Sequence, residues 1–147
     1  MKLVVQRVSH AKVTDIKKKQ VIGEIGKGLF ILLGVGKGDS EDETNSLAQK
    51  VLKLRIMADE NDKMNLSVVD TKSEILVVSQ FTLYADVSGG NRPSFINSEE
   101  PNRAKEIYEY FVNELRESGL KVETGSFGEY MEIDAQLDGP VTIIYGN

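Results

Sequence analysis

The chain has 147 residues, 40% hydrophobic and 28% charged, with a formal net charge of −5 and no cysteine. That length suits one domain able to bury its own core, so a single unit over residues 1–147 is expected, and no repeat, low-complexity tract or composition break marks a linker. Thiol catalysis and cysteine-ligated zinc are excluded outright, and the acidic balance argues against a broad nucleic-acid-binding face while leaving room for a polyanion to dock locally.

The apolar stretch within residues 1–7 is too short for a signal peptide, and no run approaches membrane-spanning length, so a soluble, cytoplasmic protein is expected. Leu3, Val5, Val8, Ala11 and Val13 stand among polar positions, an imperfect alternation that predicts a strand with a bulge or bend over residues 3–14. Lys17-Lys18-Lys19 reads as a solvated hairpin turn. Residues 21–26 return as a strand, and Gly28-Leu29-Phe30-Ile31-Leu32-Leu33-Gly34-Val35 is a continuous apolar run of the kind buried on both faces.

Ser40-Glu41-Asp42-Glu43 fits a capping box, and Leu47, Val51 and Leu54 follow at four- and three-residue steps, one face of an amphipathic helix. Residues 59–63 form a turn, and residues 74–81 a second strongly apolar strand. From Ala85 to Ser98 the composition becomes that of a long surface loop. A second helix begins near Pro101, carries Ala104, Ile107, Tyr108, Phe111 and Leu115 on one face, and stops at Gly119. Strands are expected at residues 121–124, 130–135 and 141–145. The fold class is α+β, with a mixed sheet wrapped on two main amphipathic helices.

Candidates for chemistry are few. Gly34-Val35-Gly36-Lys37-Gly38 lies between strand and helix, but Ile31 and Gly38 occupy places where a Walker loop needs Gly and Ser or Thr, and the acidic residues that follow repel phosphate. His10 is the only histidine and falls in the first strand, and Ser79 lacks the Gly-x-Ser-x-Gly turn of a hydrolase nucleophile. The carboxylates fall in caps, turns and solvated faces, and no metal-ligand spacing is present. No metal or cofactor is expected.

Two segments remain: Ser79-Gln80-Phe81-Thr82-Leu83-Tyr84 and Asp138-Gly139-Pro140-Val141-Thr142. On composition each reads as a strand end or a turn. In order and spacing they resemble the two signature motifs of the D-aminoacyl-tRNA deacylases. Val4-Val5-Gln6-Arg7-Val8, Gly23-Glu24-Ile25-Gly26-Lys27-Gly28-Leu29, Lys63-Met64-Asn65-Leu66-Ser67, Asn91-Arg92-Pro93-Ser94-Phe95 and Val122-Glu123-Thr124-Gly125-Ser126-Phe127-Gly128 resemble further blocks of that family, so the likeness runs from end to end.

The resemblance implies a DTD-like fold, with mixed or antiparallel sheets forming a barrel-like core. It implies a homodimeric hydrolase that cleaves the ester between a D-amino acid and the 3′ end of tRNA, without a membrane or DNA partner. The chemistry would fall to the substrate's terminal ribose hydroxyl, with the protein positioning the ester. Ser79 and Thr82 match motif positions with hydrogen-bonding roles, and Gln80 and Phe81 would offer backbone N–H groups. Gly139 and Pro140 match a Gly-cis-Pro motif that reaches into the other subunit's pocket, Arg7 would brace that loop, and Met131 matches a pocket position. A rigid main-chain wall excludes an L side chain by overlap and cannot exclude glycine, so glycyl-tRNA hydrolysis is expected as well. Leu137 and Tyr130 depart from the family pattern. The alternative function is a non-catalytic dimeric binding module on this fold; a synthetase-type editing domain that removes an L-amino acid is a second rival, against which Gly139-Pro140 counts.

Overall fold

In the computed structural model, which describes residues 1–146, eight strands, two α-helices and one 3₁₀ turn follow in chain order. They are β1 (Lys2–Asp15), β2 (Gln20–Ile25), β3 (Gly28–Gly34), α1 (Glu41–Leu52), β4 (Met57–Ala58), β5 (Met64–Leu66), β6 (Glu74–Ser79), the 3₁₀ turn (Phe81–Tyr84), α2 (Pro101–Arg116), β7 (Val122–Thr124) and β8 (Met131–Tyr145). The main sheet runs β2-β1-β3-β6-β7, with β8 on the other side of β1, and β4 and β5 form a separate ribbon. β3, β6 and β7 are mutually parallel and the β1 pairings antiparallel, which makes the sheet mixed.

The imperfect alternation of the first strand has a specific cause. Its first half pairs with β3 through Val8 and its second half with β2 from Ala11, and its ladder to β8 shifts register between Gln6 and Val8 and again between Val8 and His10. Each shift changes which face a side chain meets. Leu3 and Val5 join the core between sheet and helices, whereas Val8, Ala11 and Val13 join a second core inside the curled sheet.

β3 and β6 feed both cores by simple alternation. Leu29, Ile31, Leu33, Ile75 and Val77 meet the helices, while Phe30, Leu76 and Val78 fill the interior. The sheet closes nearly into a barrel because its two end strands approach each other: Lys121 Nζ donates to the Glu24 carbonyl at 2.9 Å, and a Cβ on Gly23 would stand 2.6 Å from the Thr124 carbonyl oxygen. Only glycine permits that approach.

Both helices start as their caps require. Ser40 Oγ accepts the Glu43 N–H and the Glu43 carboxylate accepts the Ser40 N–H, and Glu100 caps α2 ahead of Pro101. α2 buries Ile107, Tyr108, Phe111 and Leu115, and the Tyr108 hydroxyl donates to the Val77 carbonyl at 2.9 Å, so burial of that phenol costs no hydrogen bond. Its acidity is suppressed by burial first.

Two boundaries differ from the sequence expectation. The strand expected over residues 74–81 stops at Ser79, where the chain turns into the 3₁₀ segment. The strands expected at 130–135 and 141–145 are one strand, β8, because β1 is long enough to pair with both halves and irregularities near Leu137 absorb the mismatch.

Removing the fully buried Phe111 ring (Phe111→Ala) is expected to cost about 3–5 kcal/mol in urea unfolding, and Ser40→Ala about 1 kcal/mol through loss of the cap. A smaller effect at Phe111 than at Ser40 would contradict this division between core and cap.

Candidate functional site

A cavity of about 840 Å³ opens beyond the carboxyl ends of β3 and β6. Leu33, Val35, Val78 and Ile133 give it an apolar floor, and Ser79, Gln80 and Phe81 line one side. Phe127, Tyr130 and Met131 line the other, contributed by the segment that leads into β8 and by its first residue. Three distant parts of the chain thus meet because the curled sheet brings the start of β8 over the end of β6.

The local geometry distinguishes the residues of the first motif. Gln80 N–H donates to the Leu33 carbonyl at 2.7 Å and so extends the β3–β6 ladder. The Phe81 N–H, at the first position of the 3₁₀ turn, has no hydrogen-bond partner among the described residues, as expected for the start of a helical turn. Of the two backbone donors expected from sequence, Phe81 is therefore the free one. The Phe81 ring is 57% exposed and meets Phe95 edge-on at 5.0 Å between centroids. Ser79 lines the cavity, whereas Thr82 sits exposed on the turn outside the lining, its hydroxyl accepting a hydrogen bond from the Gln80 side-chain amide.

Tyr84 ends the motif and packs its ring on Gly36, where any side chain would collide with it. Burial, reinforced by the charge of Asp39, pushes this phenol up to about 12, so it stays protonated at neutral pH. The Gly34–Gly38 loop is not an anion cradle. Gly36 N–H donates to Asp39 Oδ2 at 2.7 Å, and Gly38 N–H points to Glu99 Oε2 at 3.5 Å.

Met131 is held by its neighbours. Ser126 N–H donates to its sulfur at 3.2 Å, and a Cβ on Gly125 would lie 2.8 Å from that sulfur. At the mouth, Lys17 Nζ meets Glu129 Oε2 at 2.8 Å, and the Glu129 carboxylate raises the lysine pKa chiefly through that hydrogen bond. His10 lies elsewhere, its Nε2 2.8 Å from Glu24 Oε1.

The second motif is not in this cavity. Gly139 and Pro140 are exposed on β8, joined by a cis peptide bond, with Gly139 at φ +122°. Arg7 reaches the same stretch: its Nε donates to the Asp138 carbonyl at 3.3 Å and pairs with Asp138 Oδ2 at 3.0 Å, while Nη1 donates to the Ile56 carbonyl at 2.8 Å. Within one chain, then, Ser79, Gln80, Phe81 and Met131 come together, and Arg7, Gly139 and Pro140 form a second group apart from them.

A model of the D-Tyr-tRNA(Tyr) deacylases matches residues 4–146. The chain belongs to that family. D-aminoacyl-tRNA deacylases from Thermosipho melanesiensis and Aquifex aeolicus are 53% and 55% identical to it, each over 98% of this chain and 95% and 96% of their own. Among solved structures, a c-Myc DNA unwinding element binding protein superposes with a TM-score of 0.92 at 40% identity, covering 100% of this chain and 99% of that one. A probable eukaryotic D-amino acid tRNA deacylase superposes at 0.84 with 14% identity over 98% of this chain and 97% of that one, a likeness of fold. The deacylase fold is thus the α+β arrangement expected from the motifs.

Sequence reasoning missed several lining residues of this deacylase-family cavity. Phe95 and Phe127 lay in blocks recognised for their likeness but carried no separate chemical signal, and Lys17 looked like an ordinary turn lysine. Gly125→Ala is expected to drive the Met131 side chain into the cavity and to lower turnover of the family's substrate on the order of tenfold or more, with little change in thermal stability. Unchanged turnover would show that Met131 does not border the bound substrate.

Proposed function

We propose that this chain hydrolyses the ester of D-aminoacyl-tRNA, releasing free tRNA and the D-amino acid, and that it works as a homodimer. The observation that carries this reading is the division of the two motifs: one lines the cavity, the other stands exposed on a free strand edge. Gly139 and Pro140 can reach a cavity only if a second copy presents them. β8 supplies the means, since its edge away from β1 has no strand partner among the described residues and the strand exposes Leu137, Pro140 and Ile144, the last 71% accessible. The second half of that edge is the apolar part and suits pairing with another copy, whereas the first half exposes Glu132 and Asp134.

In this arrangement the amino-acid end of the substrate enters between Phe81 and Met131 of one subunit, with Gly139-Pro140 of the other closing the pocket. The free Phe81 N–H is positioned to donate to the ester carbonyl, stabilising the charge that develops there. Among the described lining residues there is no histidine, and Ser79 has no basic partner, in keeping with chemistry carried by the ribose hydroxyl of the substrate. Water adds to the carbonyl, the ester C–O bond breaks, and the ribose oxygen leaves with a proton. Ser79 and Thr82 act in positioning, Thr82 through the Gln80 side chain.

Chirality follows from the main-chain wall. A pocket that only prefers one side chain gains about 1–3 kcal/mol per methylene-sized difference, whereas backbone overlap rejects an L side chain altogether. Glycyl-tRNA has nothing to overlap and is hydrolysed too.

D-tyrosyl-tRNA is expected to be cleaved rapidly and L-tyrosyl-tRNA spared, with and without chelator. Cleavage of neither would favour a non-catalytic binding module, the reading to which the 40%-identical DNA-element-binding relative lends weight. Mixing a Pro140→Ala chain with a Phe81→Pro chain, which lacks the free N–H at that position, is expected to restore part of the activity that each lacks alone, because a mixed dimer contains one intact site. Failure to complement, with mixed dimers demonstrated, would place both motifs in separate roles.

A further inference from the structure

A second hollow, of about 510 Å³, lies between the carboxyl-terminal half of α1 and the end of β8. Ser46, Gln49, Lys50 and Lys53 recur at three- and four-residue steps, which puts them on one face of the helix, and Arg55 and Tyr145 complete the wall. No carboxylate lines it among the described residues. Lys50, Lys53 and Arg55 are exposed, and none of them forms an ion pair among the described residues. The Arg55 charge reaches the Asp70 carboxylate, which is itself occupied by the Ser67 hydroxyl and N–H.

This concentration is unusual in so acidic a chain. The contiguous lysines of the first hairpin are largely neutralised, Lys17 by Glu129 and Lys18 by Asp15. A single cation in the last turn, Lys50, would suffice to offset the partial charge at the carboxyl end of α1. Lys53 and Arg55 lie beyond that need. Arg55 is also held in place, since its guanidinium donates to the Asn65 carbonyl and to the Asn65 side chain, so its remaining donors are ordered before any ligand arrives.

Resting on the deacylase reading, we infer that the Lys50–Lys53–Arg55 hollow binds phosphodiester groups of the tRNA body, a contact separate from the pocket that holds the esterified end. The two cavities share no residue. The hollow borders the second motif through the chain itself: Arg55 precedes Ile56, whose carbonyl is bonded by the same Arg7 that braces Asp138. The hollow is thus linked through Ile56 and Arg7 to the segment that carries Gly139 and Pro140. Ser46, Gln49 and Tyr145 supply uncharged polar groups suited to phosphate oxygens, and no base-reading arrangement accompanies them, so the contact is indifferent to sequence.

The test uses the full chain and two substrates, a complete D-tyrosyl-tRNA and D-tyrosyl-adenosine, which carries the ester but no phosphate. Lys50→Glu/Lys53→Glu is expected to raise KM for the complete substrate at least tenfold, leave its kcat, and leave hydrolysis of the fragment unchanged. The slope of log KM against log salt should fall by about 0.7–0.9 for each phosphate that is no longer neutralised. A charge-matched control, Lys27→Glu/Lys72→Glu, should change KM for the complete substrate far less. The inference is overturned if the groove variant leaves KM for the complete substrate unchanged, if it impairs both substrates equally, or if the control has the same effect. Arg55→Lys provides a second variant that keeps the charge while removing the forked donors, and an increase in KM only for the complete substrate supports the same contact. Absence of D-selective hydrolysis by the unaltered chain would instead sink the deacylase reading, a separate outcome.

Discussion

β1 must serve two cores. Leu3 and Val5 pack toward the helices, Val8, Ala11 and Val13 toward the barrel interior, and a single strand can do both only by breaking its own alternation. The register shifts at Gln6 to His10 perform that break, and they coincide with the point where its partner changes from β3 to β2. The bend this imposes brings β2 round to β7, with Gly23 against Thr124, and nearly closes the barrel. The same bend leaves β8 lying along β1 with no strand partner on its outer edge among the described residues.

The cavity follows from this closure. Its floor consists of the ends of strands already buried for packing reasons, and its walls are segments that the curl happens to bring together. The first motif contributes through a change of backbone state: where β6 becomes a 3₁₀ turn, Gln80 N–H completes the ladder and the next N–H, that of Phe81, is left over. A free main-chain donor over an apolar floor suits a reaction in which the protein positions and stabilises and the substrate brings its own hydroxyl. The second motif is braced in a different place by Arg7, whose bonds to Asp138 and to the Ile56 carbonyl tie β1, β8 and the segment after α1 into one unit.

Charge is distributed unevenly over this frame. A net charge of −5 keeps most of the surface unattractive to a polyanion. Cations such as Lys12, Lys17 and Lys121 are held in local ion pairs, whereas Lys50, Lys53 and Arg55 gather where α1 ends, opposite an acidic first turn formed by Glu41, Asp42 and Glu43. The helix is thus polarised along its length, which favours local docking over diffuse adhesion.

Much of the architecture was legible in the linear chain. Both helix starts could be read because a cap is a local matter: Ser40 and Glu43 satisfy each other within one turn, and Pro101 fits the first helical position whatever packs around it. The apolar run of β3 announced burial on both faces and that of β6 a second strongly apolar strand, and the two motifs and the blocks between them identified the family. What the sequence could not determine depends on contacts between distant residues. Whether residues 130–145 form two strands or one was decided by the length of β1 beside them. The N–H of Gln80 was taken by Leu33, a residue 47 positions earlier, and that of Phe81 was not. Lys17 became part of a cavity mouth because the sheet curled, and Lys50, Lys53 and Arg55 became one hollow because helical spacing and the end of β8 placed them side by side. Propensity, capping and apolar patterning act over a few residues and are written in the sequence by itself; pairing, closure and the grouping of charges act across the chain, and only the tertiary structure decides them.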